Sequence, residues 1–222
     1  MDVPRFEDRS DAGRQLARRL EHLRQADPVV LALPRGGVPV AHEVAVSLDA
    51  PLDVLGVRKL GAPLQPELAM GAIGEGGARV LDPALVRRLG VTDREVEAAE
   101  RREREVLAAR AARLRAGRPR VDLAGRTVVI VDDGMATGAT ARVACHVARA
   151  HGAARVVLAV PVAAARVAKG FVDADEVVVV DTPPHFRAVG LHYADFRPTT
   201  DEEAARLLAE PRHVQDAPGD TR

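Results

Sequence analysis

A chain of 222 residues, 47% hydrophobic and 29% charged, has the balance of a globular domain of ordinary size, and its formal net charge of 0 gives no global pull toward nucleic acid or anionic lipid. A single cysteine, Cys145, excludes an internal disulfide and a cysteine-based zinc site. No stretch approaches eighteen uninterrupted apolar residues and the opening "MDVPRFEDRSDAGR" has no apolar signal core, so the expectation is a cytoplasmic protein in a reducing compartment.

Taken in chain order, "SDAGRQLARRLEHLRQ" (10–25) has a capping start and apolar residues at helical spacing, Leu16, Leu20 and Leu23, which predicts an amphipathic helix. "PVVLALPRGG" reads as a short buried strand ending in a Pro-Arg-Gly-Gly turn, and "VPVAHEVAVSLD" as the helix that follows. "LDVLGVRKLG" reads as a second apolar strand, and "ELAMGAIGEGGARVLD" as two strands joined by the "GEGG" turn at 74–77, a hairpin projecting from the sheet. The stretch from 91 to 120 opens with a capping box at Thr92 and Glu95 and runs as a highly charged helix, either a solvated helix, a lid or a dimer arm. Strand and helix then alternate: "TVVIV", a loop, a helix to about His151, "RVVLAV", a helix near 163–171, and "EVVVV". Such continuous Val and Ile runs predict a parallel sheet covered on both faces, an α/β fold in one domain over 1–210. The last twelve residues, 211–222, lack apolar content and read as a disordered tail.

The chemistry concentrates in "VVIVDDGMATGATA" (128–141). In an open parallel sheet, ligands sit beyond the carboxyl ends of the strands, where Asp132, Asp133 and the loop after them fall. Gly134 and Gly138 let the backbone turn its amides inward, Thr137 and Thr140 add hydroxyls, and the helix from Ala139 adds its positive end, which together suit a phosphate. The carboxylates just before that loop can accept from sugar hydroxyls or hold a magnesium-bound water, so a sugar phosphate satisfies both halves. Other chemistries fail on pattern. No G-x-x-x-x-G-K-[ST] is present, the acidic pair precedes the turn instead of ending the next strand as in a dinucleotide fold, and neither Ser10 nor Ser47 lies in a G-x-S-x-G turn.

The run of four apolar residues, two aspartates and "GMATGAT" resembles the signature of the type I phosphoribosyltransferases, and the order of elements extends the resemblance from about Val29 to Phe196. The resemblance implies a Rossmann-like parallel sheet with a small hood, at about 181–200, and a flexible flap, at about 65–120. It implies that Asp132 and Asp133 face the ribose hydroxyls of phosphoribosyl pyrophosphate and hold Mg2+ through water, while Gly134, Met135, Ala136, Thr137, Gly138, Ala139 and Thr140 cradle the 5-phosphate. "LPRGG" matches the family's pyrophosphate loop, which gives Arg35, Gly36 and Gly37 to the leaving group, and one peptide bond in that loop is often cis in the family. Arg58 and Lys59 follow the second strand, where the family places a basic pyrophosphate ligand; only Lys59 and Lys169 among the 32 basic residues are lysine.

The implied activity is magnesium-dependent transfer of phosphoribosyl to a nitrogenous acceptor, with Asp132, Asp133, Arg35 and Lys59 carrying catalysis by electrostatic positioning. Members acting on 6-oxopurines carry an aspartate two residues before the loop glycine; here Ala136 stands there, which argues against hypoxanthine or guanine. Phe186, Tyr193 and Phe196 lie in the implied hood and either stack on an acceptor or pack its small core, and Glu67 or Glu75 stands near the flap as a general base or as a solvated side chain. The expected partners are small molecules, with neither nucleic acid nor membrane, and a homodimer is compatible. A non-catalytic sensor of phosphoribosyl pyrophosphate or a nucleotide is the alternative use of the same cradle.

Overall fold

The computed structural model describes residues 5–63 and 65–210. Its elements in order are α1 (Arg9–Leu20), β1 (Val29–Ala32), α2 (Gly37–Leu48), β2 (Leu52–Val54), β3 (Val57–Ala62), β4 (Gln65–Gly74), β5 (Arg79–Leu81), α3 (Pro83–Arg88), α4 (Asp93–Arg115), β6 (Thr127–Val131), α5 (Ala139–Ala150), β7 (Arg155–Val162), α6 (Ala165–Lys169), β8 (Glu176–Asp181) and α7 (Asp201–Ala209). The expected tail at 211–222 lies outside the described residues.

Five parallel strands form the main sheet in the order β2-β1-β6-β7-β8. Side chains alternate across a strand, so each run of Val and Ile feeds two cores. Val30, Ala32, Val129, Val131, Val157 and Ala159 face α1, α2 and α7, which contribute Leu16, Val44 and Leu208. Val29, Leu31, Val128, Ile130, Val156 and Leu158 face α5 and the segment after α6, which contribute Ala144, Cys145 and Phe171. Burial pushes the Cys145 thiol up to about 12, so it packs as a small hydrophobe and offers no thiolate.

The second sheet is antiparallel, in the order β3-β4-β5. It buries Leu60, Met70 and Ile73 against Leu85 of α3 and Val96, Ala99 and Leu107 of α4. Here the sequence reading needs a correction: "LDVLGVRKLG" is two strands in two sheets. The chain leaves the parallel sheet after Val54, and Gly56 makes the break. Its N–H donates to Glu75 Oε1 at 2.8 Å, and a Cβ there would stand 2.6 Å from the Leu107 Cδ1. Arg58 and Lys59 therefore sit within β3 of the small sheet instead of at the end of a parallel strand.

Helix α4 starts as its capping box requires, with Thr92 Oγ1 accepting from the Glu95 N–H at 3.3 Å and Glu95 Oε2 accepting from the Thr92 N–H at 2.8 Å. Helix α1 is shorter than the spacing suggests: Asp8 caps it, and a 3-10 segment (Glu21–Ala26) replaces its last turn. The start of the described chain meets the segment between β8 and α7, with the Phe6 N–H donating to the His192 carbonyl at 3.0 Å and the Ala194 N–H to the Phe6 carbonyl at 2.9 Å. Phe6 and Tyr193 are buried beside Ala12 and Val162, their rings 5.3 Å apart.

Candidate active site

The strand order reverses between β1 and β6: the chain moves outward from β1 to β2 and then returns to build β6, β7 and β8 on the other side. The loops leaving two such strands diverge and leave a crevice. The loop after β1 carries Leu33 to Gly37 and the loop after β6 carries Asp132 to Gly138, so both motifs open into the same crevice.

Glycines let the loops close on each other. A Cβ at Gly36 would fall 2.2 Å from Asp133 Oδ2, and one at Gly37 would fall 2.6 Å from the Val131 carbonyl and 3.0 Å from the Asp132 Cα. Only residues without a side chain fit between the first turn of α2 and the acidic pair. The Pro34–Arg35 peptide in this loop is cis. The Arg35 side chain is exposed and its guanidinium lies 3.5 Å from Asp201 Oδ1 at the start of α7.

Asp133 is held by Arg9 and Tyr193. Arg9 donates to its Oδ2 through Nε at 2.9 Å and Nη2 at 2.8 Å, donates to the Arg197 carbonyl through Nη1 at 2.8 Å, and stacks its guanidinium 3.9 Å from the centre of the Phe196 ring. The Tyr193 hydroxyl donates to the Asp133 carbonyl. Burial, with the Asp133 charge behind it, holds the Tyr193 phenol far above its ordinary value, so it remains a donor. Tyr193 is thus a core residue that fixes the acidic strand end, and Phe196 is a platform for Arg9. Phe186 stacks on His192 with ring centres 5.5 Å apart.

Among the described residues Asp132 has no cationic partner of its own; its Oδ1 accepts from the Asp133 N–H at 2.9 Å. Burial pushes its carboxyl well above the usual carboxylate range and the Asp133 charge adds to this, with Arg9 opposing. Burial also raises Asp133, and the Arg9 hydrogen bonds offset part of that rise. An acid whose folded pKa is raised is easy to fold when protonated, and the fold loses stability as pH rises from the unfolded value through the folded one. Asp132→Asn keeps the oxygen that accepts the Asp133 N–H and removes the charge. We therefore expect the unliganded variant to melt ~2–4 °C higher near pH 7, the response of a domain this size to about 1 kcal/mol. The gain should close as pH falls toward about 4, where an ordinary aspartate protonates. Melting curves across pH test this; a variant less stable at neutral pH, or a gain that persists in acid, refutes the charge argument.

After the acidic pair, Met135 turns into the core. Its N–H donates to the Val162 carbonyl at 2.8 Å and its carbonyl accepts from the Ala164 N–H at 3.1 Å. Met135 therefore braces the loop against β7, and its amide is not free for the cradle role expected of it. Gly134 packs under Val189, where a Cβ would come within 2.5 Å. Ala136, Thr137, Ala139 and Thr140 are exposed, Gly138 takes a left-handed φ of 74°, and α5 begins at Ala139, whose N–H donates to Thr137 Oγ1 at 3.4 Å. Opposite this loop lies β3. A cavity of about 460 Å3 is lined by Thr137, Ala139 and Thr140 on one side and by Lys59, Gly71 and Ala72 on the other. Arg58, one residue away and so on the other strand face, is turned to α4, where its Nε donates to Glu103 Oε2 at 2.7 Å. Of the two glutamates near the hairpin, Glu75 is committed to Gly56 and Arg115, and the Glu67 side chain lies outside the described residues.

Of the two uses the sequence leaves open for Tyr193, the structure shows core packing; sequence reasoning missed Arg9 and the bond from the Tyr193 hydroxyl to the Asp133 carbonyl. Nothing local marks Arg9, since its partner is 124 residues away. Among the described residues no group of three or more His, Cys, Asp or Glu side chains is placed to hold a metal, and no helix is long and apolar enough to cross a membrane. Two carboxylates beside a phosphate-type loop fit a magnesium ion that keeps most of its waters and takes further oxygens from a ligand.

The fold and site together define an α/β protein whose parallel sheet opens a crevice at its switch point, between a glycine-rich loop and an acidic strand end. The chain belongs to the phosphoribosyl transferase domain family, whose match runs over residues 7–195. Two relatives provisionally named phosphoribosyl transferase, from two strains of Mycobacterium tuberculosis, are each 57% identical over 204 residues, 91% of this chain. The chain spans about half of their length, 46% in each case. The crystal structure of TT1426 from Thermus thermophilus is 48% identical and superposes with a TM-score of 0.81, covering 92% of this chain and 97% of that one.

Proposed function

We propose that this chain is a magnesium-dependent phosphoribosyltransferase that releases pyrophosphate from phosphoribosyl pyrophosphate and joins the phosphoribosyl group to a nitrogenous acceptor other than hypoxanthine or guanine. The observation that carries the reading is the fit of Gly36 against the Asp133 carboxylate, which brings the loop suited to pyrophosphate and the carboxylates suited to ribose hydroxyls to contact. The exposed Thr137 and Thr140 beyond them supply the place for a terminal phosphate, and Lys59 across the cavity supplies a cation.

In this reading Asp132 and Asp133 accept from the ribose hydroxyls and stabilise the positive charge that grows on the sugar ring as the bond to pyrophosphate breaks. Arg9 and Tyr193 keep Asp133 oriented for that task. The loop from Arg35 to Gly37 holds the leaving group, and Lys59 shares its charge. Magnesium, when bound, supplies a Lewis acid on the pyrophosphate oxygens. The hairpin of β4 and β5 is the element suited to cover the site and exclude water, since hydrolysis competes with transfer. Ala136 leaves no side-chain acceptor at the position that 6-oxopurine enzymes fill with aspartate, which supports the exclusion of hypoxanthine and guanine.

The test is pyrophosphate release from phosphoribosyl pyrophosphate with magnesium, across purine, pyrimidine and pyridine bases and an acceptor-free control. Release that depends on one base is the expected result and names the acceptor. Tight binding without release for any base would replace the enzyme by a sensor.

A further inference from the structure

Away from the switch-point crevice, the C-terminal half of α4 and the turn between β4 and β5 border an open surface pocket of about 530 Å3. It shares no lining residue with the cavity beside Lys59. Nothing in the proposed reaction uses it.

Its charge is one-sided. Four guanidinium groups, those of Arg104, Arg115, Arg118 and Arg120, line it against one carboxylate, Glu75. Arg115 is fully engaged with Asp53, Glu75 and the Val54 carbonyl, and Arg104 lies 3.2 Å from Glu100. Arg118 donates only its Nε, to the Arg115 carbonyl at 3.2 Å, and Arg120 lies against the His151 ring at 2.8 Å; among the described residues neither has a carboxylate partner. Two guanidinium forks with open donors therefore face a concave space, the arrangement that takes a phosphate bidentately.

The remaining walls set the size of what fits. The turn residues Gly76 and Gly77 hold left-handed φ of 69° and 85° and present only backbone beside Glu75, and a Cβ at Gly76 would collide with the His151 ring at 2.1 Å. The α4 wall presents Leu107 and the small apolar side chains Ala108, Ala111 and Ala112. An apolar wall, mostly of alanine, beside two open guanidinium groups, in a space larger than a single phosphate needs, suits a ring that carries phosphate.

The geometry points to a second ligand site in this pocket, for a small phosphate-bearing molecule of nucleotide size held by Arg118 and Arg120. The test is calorimetric titration of ATP, and separately of inorganic pyrophosphate, without magnesium. Three proteins are compared: the natural chain, Ala139→Glu, which places a carboxylate in the phosphate loop of the switch-point crevice, and Ala139→Glu combined with Arg118→Ser and Arg120→Ser. Both arginines are exposed, so melting curves should confirm that the fold survives. Ala139→Glu should keep one ATP site, the added arginine changes should weaken it at least ~10-fold, and affinity should fall as salt rises. Loss of all ATP binding in Ala139→Glu, or unchanged affinity after the arginine changes, overturns the site. Pyrophosphate binding as tightly as ATP there overturns the role given to the alanine wall.

Discussion

Replacing Asp132 and Asp133 together by asparagine is expected to weaken magnesium-dependent binding of phosphoribosyl pyrophosphate by at least ~100-fold while the fold stays intact. Losing two charge-assisted hydrogen-bond acceptors and the anchor for a hydrated cation accounts for that scale, at about 1.5–3 kcal/mol for each charged contact. The fold should survive because the substitution keeps the side-chain oxygens that accept from the Asp133 N–H and from Arg9. Calorimetry with and without magnesium checks the affinity, and a melting curve checks the fold. An unchanged affinity would remove the acidic pair from the site. A loss that is equal with and without magnesium would keep the pair as sugar ligands and remove the metal from them.

The meeting of the acidic pair with the glycine-rich loop in the candidate site was legible in the sequence because its parts are local. A glycine that must sit against a carboxylate, a threonine-rich helix start and an acidic pair at a strand end are each written in a few consecutive residues, and the topology of a parallel sheet brings strand ends together without further instruction. The strand 127–131 and the cap of α4 were legible for the same reason. The division of residues 52–62 between two sheets was not, because an apolar run looks alike whether it continues or bends. Gly56 was the available signal, a glycine inside a strand pattern that marks a close approach. Arg9 and the cavity along α4 depend on pairs far apart in the chain, and no spacing rule reports those. Asp53 did carry a signal, since an acid within the apolar "LDVLGV" demands a buried partner, but the sequence does not say which of its many arginines supplies it.

That partner is Arg115, and its removal should be the most damaging single change to stability. Arg115 is 8% exposed and its Nε donates to Asp53 Oδ1 at 2.8 Å, its Nη1 to Glu75 Oε2 at 2.5 Å and its Nη2 to the Val54 carbonyl at 2.9 Å. The second oxygen of Asp53 accepts from the Val121 N–H at 3.0 Å, and that of Glu75 from the Gly56 N–H at 2.8 Å. One guanidinium thus joins the last turn of α4, the end of β2, the chain's exit into the small sheet and the turn after β4. Arg115→Leu would leave two buried carboxylates without their cation, so we expect a loss of about 3–5 kcal/mol. In a domain of this size that lowers the melting temperature by roughly 10 °C. Adding Asp53→Asn and Glu75→Gln should recover much of the loss, because the penalty lies in the stranded charges and not in the missing contacts. If Arg115→Leu melts within a degree or two of the natural chain, or if the triple variant is worse than the single one, the network is not what ties the two sheets together. The same tether sets the base of the β4 and β5 hairpin, whose strands line the cavity opposite Thr137 and Thr140. A loosened base should therefore weaken ligand binding in the crevice at temperatures where the parallel sheet is still folded.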